Sequence, residues 1–199
     1  MGKPDNKKSN GQKSIGKTII IGIILLALLA SFYYYVSAKA DREKAKESDK
    51  VTKTGQMLQY DFEKKYPPSP KEVVKYYSEI TQCFYNEENS EEDVYALAMQ
   101  IQKLYDEELI GNQTEEEYIE NLKVEIASMK ENGFVISSYS TSSSTDVEYY
   151  TEDGYEWASL YCVYGIRKGT AVMNTNEKFL LRKDETGHWK IYGWTLADN

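Results

Sequence analysis

Few side chains in this 199-residue chain are of the types that carry most protein chemistry. His188 is the single histidine; it follows Gly187 beside a turn, and no Ser, Cys or carboxylate stands at a spacing that would pair with it as an acid–base or metal-ligating set. An exposed histidine at the start of a strand is the simpler reading. The two cysteines, Cys83 and Cys162, lack a CxxC spacing or a neighbouring histidine and lie in apolar patterns, the setting of buried free thiols. A disulfide between them is the alternative in an oxidising compartment. The acidic runs Glu91–Asp93, Asp106–Glu108 and Glu115–Glu117 invite a metal reading, but adjacent carboxylates on a helix point apart, and two of the runs open helices. Capping and the helix dipole account for those two, so the runs read as solvated faces. Without a Gly-rich phosphate loop, GxSxG elbow, HExxH or Cys/His cluster, the sequence points to no catalytic, cofactor-binding or metal-binding residue and to no cofactor.

What remains is aromatic chemistry: 18 Tyr against 5 Phe and 3 Trp. Tyrosine joins an apolar ring to a hydroxyl that wants a partner, and suits half-buried helix faces, sheet surfaces and pocket rims. Residues 51–199 carry 14 Lys+Arg against 27 Asp+Glu, a net −13, and offer no basic face for nucleic acid.

The elements that must position these rings follow from periodicity. Met57, Leu58, Phe62 and Tyr66 predict a first helix ended by Pro67-Pro68. Ser69-Pro70-Lys71-Glu72 reads as a capping box opening a helix to about Tyr85, with Val73, Tyr77, Ile80 and Phe84 on one face. Ser90 opens the next, with Val94, Leu97, Ile101, Leu104 and Leu109 at helical spacing before Gly111, and Thr114 opens a last one ending at Asn132-Gly133. The pattern then alternates: Phe134–Tyr139, a strand through Val147 and Thr151, a turn at Asp153-Gly154, Glu156–Arg167 apolar on both faces, Ala171–Lys183, and a four-residue turn into His188–Leu196. Helices first and an antiparallel meander after them predict an α+β domain, three to four helices packed on a curved antiparallel sheet.

Ahead of this lies Ile19–Val36, eighteen residues without a charge. At about 1.5 Å per residue such a helix covers roughly 27 Å, close to the hydrocarbon thickness of a bilayer. It divides the chain into a disordered basic tail (1–18), a transmembrane helix (19–36), a charged spacer (37–55) and the α+β domain (56–199). The tail's five lysines place the N-terminus in the cytoplasm and the domain outside, although Lys39, Arg42, Lys44, Lys46 and Lys50 reduce the contrast. Ala38-Lys39-Ala40 makes a signal peptide cleaved after Ala40 the competing reading; the length of the run and the Phe32–Tyr35 aromatic belt favour a retained anchor.

The element order, with Leu180–Ile191 ending in Gly187-His188-Trp189-Lys190-Ile191, resembles the nuclear-transport-factor-two-like, cone-shaped α+β superfamily. The single membrane helix, LYDEEL at Leu104–Leu109 and LRKDETGHWKIYGW at Leu181–Trp194 are similar to single-pass proteins of Gram-positive bacteria that carry this domain. The resemblance implies a cystatin-like cone whose cavity, if open, is lined by Tyr77, Phe84, Tyr161 and Trp189 and suits a small hydrophobic ligand; a filled core is the alternative. Members of that superfamily include enzymes, ligand binders and structural modules, so the fold assigns no activity.

The function expected is therefore a non-enzymatic, membrane-anchored extracytoplasmic domain that binds a protein or small ligand at the cell envelope. An isomerase or dehydratase working in the cone, and a homodimeric scaffold pairing through Tyr192 and Trp194 on one sheet face, are the alternatives.

Overall fold

Each helix begins where a short polar side chain can take up the first free amides. Thr52 Oγ1 accepts from the Gly55 amide and opens α1 (Lys53–Leu58), and Ser69 Oγ accepts from Glu72 to open α2 (Pro70–Asn86), with Pro70 in its first turn. Full capping boxes open α3 (Glu91–Gln102) at Ser90 and Asp93 and α5 (Glu115–Glu131) at Thr114 and Glu117. Asp106 caps the short α4 (Glu107–Ile110). The box expected at Ser69 is one-sided, because Glu72 pairs with Lys75 at 3.4 Å. The computed structural model describes residues 52–197. The tail 1–18, the membrane segment 19–36 and nearly all of the spacer 37–55 lie outside the described residues, among which no helix is long and apolar enough to cross a membrane.

Two helices are shorter than the periodicity predicts. The first stops at Leu58, where Asp61 Oδ1 gathers the Glu63 and Lys64 amides into a turn and the Gln100 side chain donates to the Met57 and Tyr60 carbonyls. Phe62 is buried all the same. The helix from Ser90 ends at Gln102 because Leu104–Asp106 leaves it to pair with the sheet.

The sheet is antiparallel and five-stranded: β1 (Phe134–Thr141), β2 (Glu148–Glu152), β3 (Tyr155–Lys168), β4 (Ala171–Lys183) and β5 (Trp189–Leu196). β3 is central, with β4 and then β5 on one side and β1 and β2 sharing its other edge. Asp153 and Gly154, at φ of 52° and 83°, make the two-residue turn that matches strand twist. At the β4–β5 hairpin Asp184 Oδ1 accepts from the Thr186 and His188 amides. α2 lies across β1, β3 and β5, and its Val73, Ile80 and Phe84 belong to one buried core with Leu160, Cys162, Phe179, Leu181 and Ile191.

A bulge re-aims β5. Leu181 pairs with Ile191 and Leu180 with Gly193, leaving Tyr192 unopposed. The side-chain phase therefore flips, so Ile191 and Trp194 both face the helices, Trp194 stacking on Phe179 at 5.9 Å, while Tyr192 faces outward. Tyr192 and Trp194 thus stand on opposite faces, with Trp194 on the side of Trp189 and Ile191, so the shared outward face expected for the two rings is not formed.

The outer edge of β5 is covered by the chain itself. Asp106 N donates to Ile191 O at 2.9 Å and Ile191 N to Leu104 O at 2.8 Å. Arg182 fastens this segment: its guanidinium grips the Asp106 carboxylate through Nη2 at 2.6 Å and Nε at 2.9 Å, and reaches Glu108 at 2.9 Å. The run Asp106–Glu108, expected to be solvated, is thus turned inward at its first residue and pinned at its third. The Asp106 side chain is only 5% exposed and that of Arg182 14%. Removing one partner of such a pair strands the other charge, so Arg182→Met should cost about 3 kcal/mol in urea unfolding; a loss below about 1 kcal/mol, the range of exposed pairs, would mean that the backbone bonds alone hold the segment.

Candidate functional site

Polar groups converge between α2 and the sheet. In β4 the inward phase runs Met173, Thr175, Glu177, Phe179, Leu181, so alternation alone carries a carboxylate into the apolar layer. On α5, Glu125 takes an inward place among Leu122, Ile126 and Met129 by the same logic at helical spacing. Glu177, 3% exposed, lines a cavity of about 10 Å³ together with Thr175, Tyr164 and, from α2, Tyr77 and Thr81. That volume is room for about one water.

No hydrogen bond reaches the Glu177 carboxylate, the Thr175 hydroxyl or the Tyr77 hydroxyl from any described residue, whereas Tyr164 Oη is tied to Ser78 Oγ at 2.8 Å. Burial, with repulsion from Glu125, pushes the Glu177 carboxyl up to about 8. Burial likewise raises Glu125 to about 7, a hydrogen bond from Tyr85 pulling the other way. Burial also drives the Tyr77, Tyr85, Tyr105 and Tyr164 hydroxyls well above their usual range, keeping them proton donors. The chemistry available is to hold a proton and offer it to a water-sized guest.

Of the residues expected to line a pocket, Tyr77 does line this cavity. Phe84 is packed in the core of α2, and Trp189 sits at the β4–β5 hairpin end of the sheet against Tyr149, with ring centroids 5.7 Å apart. Tyr161 stands on the opposite face, 40% exposed, under the Lys178 ammonium, because the inward residues of β3 are the even-numbered ones. His188 stacks on Tyr66 at 4.1 Å and lies 2.9 Å from Thr186 Oγ1, a clamp on the hairpin. Cys83 and Cys162 are free, and burial raises both thiols, Cys83 to about 11. Among the described residues no group of three or more His, Cys, Asp or Glu is arranged to hold a metal.

A second cluster lies on the outer face. Tyr155, Tyr192 and Trp157 surround the Arg182 guanidinium at 4.7, 5.1 and 5.7 Å, and Tyr150 stacks on Trp157 at 6.4 Å. Tyr150 and Tyr155 are exposed. The signal for both clusters was in the sequence, as carboxylates in the inward phase of apolar elements and rings in the outward phase of β2 and β3.

The carboxyl pair makes stability depend on pH in a definite sense. Both groups bind their proton more tightly in the fold than at the ordinary value of 4.5, so their contribution is whole below about pH 4.5 and lost as pH rises through about 7 and 8. Glu177→Gln should therefore gain on the wild type as pH rises, by roughly 2–5 kcal/mol at about pH 9. Parallel stability–pH curves for the two proteins would contradict the assignment.

No curated protein matches this chain. A family model described as a domain of unknown function, DUF6715, matches residues 6–194, covering the apolar segment Ile19–Val36 as well as the α+β unit, and the chain belongs to that family.

Proposed function

We propose that the protein is a single-span, non-enzymatic binding module of the cell envelope, with its tail in the cytoplasm, Ile19–Val36 in the membrane and the α+β unit outside, where the outer face of the sheet holds a protein partner. On this reading the unit is a cone of the nuclear-transport-factor-two-like kind with a filled interior. The observation that carries it is the contrast between the two faces. The helix-covered face leaves about 10 Å³, whereas the other exposes Tyr150 and Tyr155 beside Trp157, Tyr192 and Arg182. Tyr, Trp and Arg are the residue types that dominate binding energy at protein interfaces. Here Arg182 fixes the rings in place, so a partner meets a surface that is already ordered.

One observation favours a second reading, an isomerase or dehydratase: Glu177 beside Tyr77 is the equipment of a proton-transfer site. A substrate pocket of roughly 300 Å³ or more would first have to open there.

A C-terminal epitope on the full-length chain tests the reading in intact Gram-positive cells. External protease should remove it without lysis, and release of the tagged domain into the medium would identify cleavage after Ala40 in place of anchoring. An epitope protected until the cells are broken would overturn the proposal.

A further inference from the structure

The rims of the sheet are β1, β2, β5 and the Ala171–Thr175 end of β4 that extends past β5, and two of them carry backbone contacts at one residue each. At β5, Leu104–Asp106 takes up the N–H and C=O of Ile191. At β1, Ile136 N donates to Asn86 Oδ1 at 2.9 Å, and its carbonyl accepts from Gln82 and Asn86 at 3.0 and 2.8 Å. β2 is different: all five of its residues are exposed. The two-residue turn at Asp153-Gly154 sets Glu152 opposite Tyr155, Tyr150 opposite Trp157 and Glu148 opposite Ser159. In a hairpin of this length those pairs exchange the backbone hydrogen bonds, so the N–H and C=O of Tyr149 and Thr151 point away from β3. No hydrogen bond to those four groups comes from any described residue. An open edge of this kind is a template for another strand.

We infer that β2 is a docking edge that takes an extended, cationic segment of a protein partner as an added strand. The inference rests on the reading above, that the protein holds a partner, and supplies the chemistry of that partner. Charge selects the occupant. A second copy laid antiparallel about Tyr150 would set Glu148 against Glu152 at both ends, between units that each carry −13 over residues 51–199. Like charges directly opposite destabilise a strand pair. A strand with Lys or Arg four residues apart meets both carboxylates instead. Glu148 is held ionised by Ser159 Oγ at 2.9 Å and by Lys178, and Glu152 lies at the exposed end of the strand. Between them, Tyr150 continues into the Trp157 ring on the outer face and Tyr149 into Trp189 on the inner one. Those neighbours suit β-branched or aromatic side chains at the middle positions.

The test uses the full-length chain in micelles, observed by backbone NMR, with the capped peptide Lys-Val-Thr-Val-Lys as probe and Glu-Val-Thr-Val-Glu as control. The basic peptide should shift the Tyr149 and Thr151 amides and slow their hydrogen exchange. The acidic control should bind roughly two- to thirtyfold more weakly, the range for two opposed charge pairs. Thr151→Pro removes an outward donor without touching the β3 ladder and should abolish binding. Glu152→Lys, which keeps the backbone intact, should shift preference toward the acidic peptide. Unchanged Tyr149 and Thr151 amides at millimolar peptide, equal binding of the two peptides, or protection of those amides by concentrating the protein alone would each overturn the inference. These outcomes do not depend on membrane orientation, so they leave the protease test of the envelope reading separate.

Discussion

The two-pronged grip of Arg182 on Asp106 is the contact on which the rest of the sheet's outer side depends. Two stretches far apart in the chain, Leu104–Leu109 and Leu181–Trp194, meet there. Backbone bonds lay the first along β5, and the guanidinium converts that contact into a fixed one by taking a carboxylate out of water with both oxygens satisfied. Planarity matters as much as charge: the same guanidinium offers its faces to Tyr155, Trp157 and Tyr192 while its edge holds Asp106 and Glu108. One side chain thus closes a sheet edge and orders an aromatic surface, and a lysine has no geometry to do both.

The inner side is organised by a different constraint, the need to satisfy polar groups where helices meet sheet. Tyrosine serves there because its ring fills space and its hydroxyl finds a partner, as Tyr164 does with Ser78. Tyr77 packs its ring against Phe179 and Trp194 at 5.3 and 5.2 Å, and its hydroxyl lies by the cavity without a partner among the described residues. Glu177 and Glu125 are retained in this layer at the cost of holding their protons into the neutral range. The gap beside Glu177, an acid with no hydrogen-bond partner among the described residues, is the size of one water.

Local signals were legible in the chain where local chemistry decides. The serine and threonine caps at 69, 90 and 114, the Asp153-Gly154 turn and the 184–187 turn all stand where their residues indicate. What was not legible required knowledge of a distant partner. Leu104 and Leu109 continue the helical stripe of α3, yet Ile191 takes up the backbone of 104–106 and breaks it. Trp194 follows Tyr192 at strand spacing, yet an unopposed residue in β5 reverses the faces. Asp106 looked like its acidic neighbours until Arg182, seventy-six positions later, was placed against it. Glu177 was visible as a charge in an apolar strand, but its meaning depended on which face the helices cover.

The described unit thus has a nearly filled interior and an aromatic outer face, and the proposed recognition belongs to that outer face. The most direct measurement is position-resolved photo-crosslinking of the full-length chain in intact cells, with the crosslinker at Tyr150 or Tyr155 on the sheet or at the exposed Val124 on α5. If the outer face holds a partner, the two sheet positions give an adduct with one discrete protein and the helix position gives none. Adducts from Val124 alone, or equally from all three positions, would contradict that reading.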